Sequence, residues 1–170
     1  LSTGSNNTAI GQYSSALMTT AGGNTSVGQA SLQSDTTGYN NVAIGQYALR
    51  LNTTGYQNTA LGYKALDANT TAINNVAVGK HALLSNTTGV HNTAVGTNAL
   101  DANTTAGYNT AIGNTALGAN TTACSISSLN VSATGSMSTI LPCTVDLLGS
   151  SLSFLNTFSF FLSCSFVLLN

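Results

Sequence analysis

The sequence predicts an all-β protein: a parallel β-solenoid of seven 17-residue coils over residues 1–123, followed by a non-repetitive hydrophobic segment over residues 124–170. Three observations carry this expectation. Gly11, Gly28, Gly45, Gly62, Gly79, Gly96 and Gly113 stand 17 residues apart without a slip. Aliphatic, asparagine and threonine residues recur at fixed offsets from each of these glycines. Gly and Asn-Thr-Thr-Gly interrupt every copy, whereas a helix needs apolar residues at i, i+3, i+4 and i+7 over about ten residues or more.

Each column of the repeat is assigned by what recurs in it. One residue before the glycine stand Ile10, Val27, Ile44, Leu61, Val78, Val95 and Ile112, always branched and aliphatic, and this column is predicted to be core. Four after it stand Leu32, Leu49, Leu66, Leu83, Leu100 and Leu117, with Ser15 as the exception, and this column is predicted to be core too. Four before it, Asn7, Asn24, Asn41, Asn58, Asn75, Asn92 and Asn109 never vary, and a Thr-Thr pair follows eight and nine residues after it. The unit reads Asn-Thr-Ala-Ile-Gly-x-x-Ala-Leu-x-x-Asn-Thr-Thr-Gly-x-x. Columns that vary freely are expected to face water, such as Gln12, Gln29, Gln46, Tyr63, Lys80, Thr97 and Asn114, or Ala16, Gln33, Arg50, Asp67, Leu84, Asp101 and Gly118. Asp35 alone places a charge in a repeated column, replacing an Asn.

Two short strands joined by turns fit such a copy. Alternate side chains of a strand face opposite ways, so Thr59 and Leu61 share one face and Ala60 takes the other. Coils stacked at about 4.8 Å make a rod of roughly 33 Å for seven coils. Equivalent residues then lie directly over one another, so aliphatic columns become a continuous core and Asn columns become hydrogen-bonded ladders. The glycine is expected to supply a positive φ or a tight bend.

Composition excludes several function classes. The chain has 170 residues and 4% charged residues, with three Lys or Arg, four Asp and no Glu, against about a quarter in ordinary globular chains. A net charge of −1 offers no basic surface for phosphate counterion release, so nucleic acid is not an expected partner. Hydrophobic content of 42% argues against disorder. No catalytic, cofactor-binding or metal site is predicted. His81 and His91 occupy different variable columns and are expected as surface residues, and Asp35, Asp67, Asp101 and Asp146 are too scattered for a carboxylate pair or a calcium loop.

The unit resembles the head repeats of YadA-like trimeric autotransporter adhesins, and is closer still to the longer repeats of phage tail-fibre-like and bacterial surface proteins. The likeness covers roughly Asn6 to Ala123. It implies a left-handed parallel β-roll, assembled as a homotrimer about the coil axis, extracellular, that binds host or matrix surfaces or spaces a binding tip. In such an assembly the Ala columns, Ala43, Ala60, Ala77, Ala94 and Ala111, are expected as the close-packing face. Coiled-coil heptads and an autotransporter anchor are not recognisable in the sequence.

Beyond Ala123 the composition changes: Cys124, Cys143, Cys164, Pro142 and all five phenylalanines lie there, and Asn130 stands where the next glycine is due. The uncharged run Leu147 to Leu169 is long enough for a membrane span but diluted by serines. A strand-rich cap or intersubunit element, a membrane-associated or cleaved anchor, and a segment of no defined role all remain open for this tail. The polar start, Leu1 to Asn7, shows no secretion signal, as expected of a processed form.

The Asn-Thr-Thr triplets at Asn52, Asn69, Asn86, Asn103 and Asn120 are expected to form a ladder, since the triplet recurs with the period; they are also glycosylation sequons, and a glycan on outward-pointing asparagines is the alternative. Tyr39 with Tyr56, and Tyr13 with Tyr47, share columns and are expected to cover the coil edge or to contact sugars or proteins. Together these features predict an extracellular structural or adhesive protein that self-associates as a homotrimer or end-to-end filament. An ice-binding solenoid is the alternative.

Overall fold

The computed structural model describes residues 4–129. Eight strands of three residues follow one another: β1 (Thr8–Ile10), β2 (Thr25–Val27), β3 (Val42–Ile44), β4 (Thr59–Leu61), β5 (Val76–Val78), β6 (Thr93–Val95), β7 (Thr110–Ile112) and β8 (Ser127–Leu129). They form one parallel sheet in sequence order. Every pairing joins equivalent residues of successive copies, with Ala43 against Ala60 and Ile44 against Leu61. The chain is therefore a β-solenoid of about seven turns, and no helix occurs among the described residues. β8 lies past the last repeat glycine yet keeps the register, Thr110 facing Ser127. The remainder of the tail, including Cys143, Cys164, Asp146, Asn130 and the run Leu147 to Leu169, lies outside the described residues.

Each coil contains one strand where two were expected. The Ala-Leu half of the copy is instead a run of turns held to its neighbours by backbone bonds, Leu49 N to Ala65 O and Leu66 N to Ala82 O, both 3.0 Å. Two residues in each such run take a left-handed backbone, Tyr47 (φ 62°) and Leu49 (φ 49°) in one coil, Lys64 (φ 55°) and Leu66 (φ 52°) in the next. Such values are rare for bulky residues and cost roughly 1–2 kcal/mol each. Leu32, Leu49, Leu66, Leu83 and Leu100 are wholly buried, and burying a leucine is worth about 1.5–3 kcal/mol, which offsets the strain at the leucine itself.

The core is narrow. Each coil contributes one leucine and two alanines, for example Ala60, Ala65 and Leu66. The aliphatic column before the glycine, expected as core, faces outward: in β4, Ala60 is 0% exposed and Leu61 44%. Strand alternation puts that column on the side opposite the alanines, and an interior already filled by leucine from the facing turn has room there only for a methyl group. The Ala column, expected as a face between subunits, accordingly lines the inside of its own coil. In the first coils serines replace these core residues, and Ser14, Ser15, Ser26 and Ser31 join through their hydroxyls, Ser15 Oγ lying 2.7 Å from Ser26 Oγ.

Two buried asparagine ladders run beside this core. Asn58 accepts the backbone N–H of Asn75 at 3.0 Å through Oδ1 and donates from Nδ2 to Ala72 O at 2.8 Å, closing its own coil while holding the next. Asn24, Asn41, Asn75 and Asn92 repeat both contacts. Asn109 still accepts from Ile126 N, but its Nδ2 has no partner, and Ala123 O, the equivalent carbonyl fourteen residues on, takes Asn120 Nδ2 alone. In the second ladder Asn69 Nδ2 donates to Asn52 Oδ1 and Asn103 Nδ2 to Asn86 Oδ1, both 2.8 Å. The sequon asparagines Asn52, Asn69, Asn86 and Asn103 thus point inward, fully buried, and act as ladder residues.

Asp35 takes an asparagine's place in that second ladder and is also fully buried. Burial raises its pKa from 3.8 to about 6, although Gly38 N and Asn52 Nδ2 both donate to Oδ1 and oppose the shift. The folded chain therefore holds this proton more tightly than the unfolded chain. Stability is fullest below pH ~4 and falls as the pH rises to about 6, by about 3 kcal/mol in all. Asp35→Asn is expected to remove that dependence and to raise stability above pH 6, as read by denaturant titration across this range.

Gly62 has φ +136°, and a Cβ there would lie 2.6 Å from Gly79 O, in the backbone of the next coil. The same approach repeats from Gly11 to Gly96, which is why the position never varies. Gly62→Val is expected to cost at least about 3 kcal/mol. Thermal melting followed by circular dichroism checks this, and an unchanged midpoint would contradict it.

Candidate interaction surface

The outward face of the sheet is built by the first and third residues of each strand. Thr8, Thr25, Val42, Thr59, Val76, Thr93 and Thr110 form one row, and Ile10, Val27, Ile44, Leu61, Val78, Val95 and Ile112 the other. No charged residue enters either row. Ile10, Ile44, Leu61, Val76 and Ile112 are among the exposed large hydrophobic residues. A parallel sheet is ordinarily covered on both faces, and a continuous apolar stripe open to water is characteristic of an interaction surface. Sequence reasoning found these residues but assigned them inward, because recurrence marks a constrained column without saying which side it faces.

The Thr pairs divide between two roles. The first member turns its hydroxyl into the stack, Thr53 Oγ1 donating to Thr70 O at 3.0 Å and Thr36 Oγ1 to Thr53 O at 3.0 Å. The second member, Thr20, Thr37, Thr54, Thr71, Thr88, Thr105 and Thr122, is exposed in every copy.

The variable columns face water as expected at Gln12, Gln29, Gln46, Tyr63, Lys80, Thr97 and Asn114, all exposed. The other variable column departs from expectation at Asp67, which is buried. Arg50 from the preceding coil holds it through Nε at 2.7 Å and Nη2 at 3.1 Å. The same hydrogen bonds hold the guanidinium still further toward its charged form. This is the one ion pair among the described residues.

Aromatic residues ride on the coil edges. Tyr39 and Tyr56 stack at 4.5 Å between ring centroids and 8° between planes, the contact expected from their shared column. Tyr13 and Tyr47 do not meet, since Ala30 occupies the intervening coil, and Tyr47 turns to Tyr63 instead. His91 is exposed and stacks on Tyr108 at 4.9 Å; His81 is half-buried against Tyr63 at 5.4 Å. His91 and Tyr108 share a column, 17 residues apart, a pairing the period allowed and the sequence reading did not make, whereas Tyr63 and His81 come from neighbouring columns that the sequence could not pair. Among the described residues no group of three or more His, Cys, Asp or Glu side chains could hold a metal ion, and no helix is long and apolar enough to cross a membrane. Cys124 is exposed.

Comparison with models of protein families, with curated proteins and with solved structures finds no match to this chain.

Proposed function

We propose that this chain is a rigid structural and adhesive element displayed outside a cell or on a virion, self-associating through the bare face of its sheet. One observation supports this above all: two unbroken rows of Thr, Val, Ile and Leu stand outward along the stack and carry no charge. Covering those rows with the same face of other copies removes apolar surface from water and completes the second layer that a parallel sheet lacks. The sequence resemblance to YadA-like heads supports a homotrimer about the coil axis as the closed form of that contact. Function in this reading resides in shape and surface, not in catalysis.

The double variant Ile44→Asp, Leu61→Asp tests it. Both side chains point away from the core, so the β-sheet dichroism should persist while burial of unpaired carboxylates weakens association at least about a hundredfold. Sedimentation velocity should find trimers for the native chain and monomers for the variant. A monomeric native chain overturns the reading; filaments that survive the double substitution replace lateral association by end-to-end stacking of terminal rungs.

A single row of exposed threonines, from Thr20 to Thr122, favours a second reading, an ice-binding solenoid. Its neighbouring row spends its hydroxyls on the backbone ladder, leaving a flat polar strip one residue wide. Measurable thermal hysteresis in dilute solution is its expected outcome, and zero hysteresis removes it.

A further inference from the structure

We infer that the edge formed by Gln46, Tyr47, Tyr63, Lys64, Lys80 and His81 is a binding site for an acidic oligosaccharide. These residues are the first and second after the glycine in three successive coils, so they form two adjoining columns, Gln46 over Tyr63 over Lys80 beside Tyr47 over Lys64 over His81. Within each column a tyrosine is therefore followed by a lysine, Tyr63 by Lys80 and Tyr47 by Lys64. Tyr47 meets Tyr63 edge-on at 6.2 Å, and Tyr63 leans on His81 at 5.4 Å. Lys64 Nζ lies 5.9 Å from the Tyr47 ring and 5.6 Å from the Tyr63 ring, and Arg50 Cζ lies 5.3 Å from Tyr47.

All three Lys and Arg residues of a chain with almost no charge thus belong to one edge. Asp67 neutralises Arg50, whereas neither Lys64 nor Lys80 has an ion-pair partner among the described residues. Tyr63 and Lys80 are exposed, and Tyr47 and Lys64 are half-buried, so the rings are supported and their faces remain within reach of solvent. Upstream the first column continues as an amide ladder, Gln46 Nε2 donating to Gln29 Oε1 at 2.5 Å and Gln29 Nε2 to Gln12 Oε1 at 3.4 Å.

This combination matches a sugar chain that carries sparse anionic groups. The axial C–H faces of a pyranose pack on tyrosine rings, amides meet its hydroxyls, and two ammonium groups without an ion-pair partner meet carboxylate or sulfate. Two cations are few for a nucleic acid, whose affinity rests on neutralising many closely spaced phosphates. The regular rise of the stack, about 4.8 Å per coil, presents these groups along a straight line, as a linear polymer requires. A sharp glycine turn, Gly45 with φ +131°, separates this edge from the apolar stripe, so the site does not rest on the self-association proposed above.

Calorimetric titration of the full chain with a heparin-derived oligosaccharide at low salt tests the site, with neutral maltooligosaccharide, oligothymidylate and oligoglutamate titrated alongside. Saturable binding of the acidic sugar is expected. Lys64→Gln with Lys80→Gln, and separately Tyr63→Ala, should each weaken it at least about tenfold, whereas Tyr63→Phe and the distant Tyr108→Ala should not. Sedimentation of the same variants should be unchanged, which separates loss of this site from loss of assembly. Absence of saturable binding, equal affinity in the lysine and Tyr63→Ala variants, or tighter binding of oligothymidylate or oligoglutamate would overturn the assignment.

Discussion

Everything in this molecule depends on each coil returning to its starting point after 17 residues, and the buried asparagine four residues before each glycine enforces that return. Its carbonyl oxygen takes the N–H of its counterpart one coil on, and its amide nitrogen takes a carbonyl fourteen residues along the chain. One side chain thereby fixes both the circumference of its own coil and the spacing to the next. Aspartate would lose the donor, and a longer amide would not fit the same reach. An unpaired buried amide costs about 1–3 kcal/mol, so the column admits few alternatives.

From that constraint follow the small interior and the unusual distribution of apolar residues. A coil this tight encloses two alanines and a leucine, and the polar ladders fill the rest of its cross-section. Larger aliphatic side chains are displaced to the outer face of the sheet, where they become the surface most in need of a partner. In the first coils, hydroxyls of Ser14, Ser15, Ser26 and Ser31 bond to one another where later coils have alanine or leucine. The core thus becomes polar toward one end of the stack without leaving those hydroxyls unpaired.

The same register accounts for the scarcity of charge. In a parallel stack any residue that recurs in the repeat faces its own copy about 4.8 Å away. Like charges at that distance repel by about 3 kcal/mol at an effective dielectric constant of 20, and the penalty would recur at every rung. Charges are accordingly confined to columns that vary, and Arg50 and Asp67 meet as opposites one coil apart. Asp35 is the exception, a lone carboxyl among buried amides, and its raised pKa expresses the cost of that position. The cationic edge exists because Lys64 and Lys80 fall in neighbouring columns and not in the same one.

The sequence alone determined the period, the solenoid, the two asparagine ladders and the need for glycine, because an in-register stack writes each structural requirement as a column of identical residues. Stacking of Tyr39 on Tyr56 was legible for the same reason. The tertiary structure alone decided which way a column faces and what meets across columns. Recurrence marks the alanine inside and the isoleucine outside with equal clarity, so the apolar stripe could not be distinguished from core. Nor did residue type betray the left-handed backbone at Tyr47, Leu49, Lys64 and Leu66, since burial and coil closure impose it against local preference. The pairings of Tyr63 with Tyr47, with His81 and with Lys64 join neighbouring columns, and only the closed coil sets which side chains meet there; Arg50 with Asp67 and His91 with Tyr108 lie 17 residues apart in one column, where the period alone places them in register.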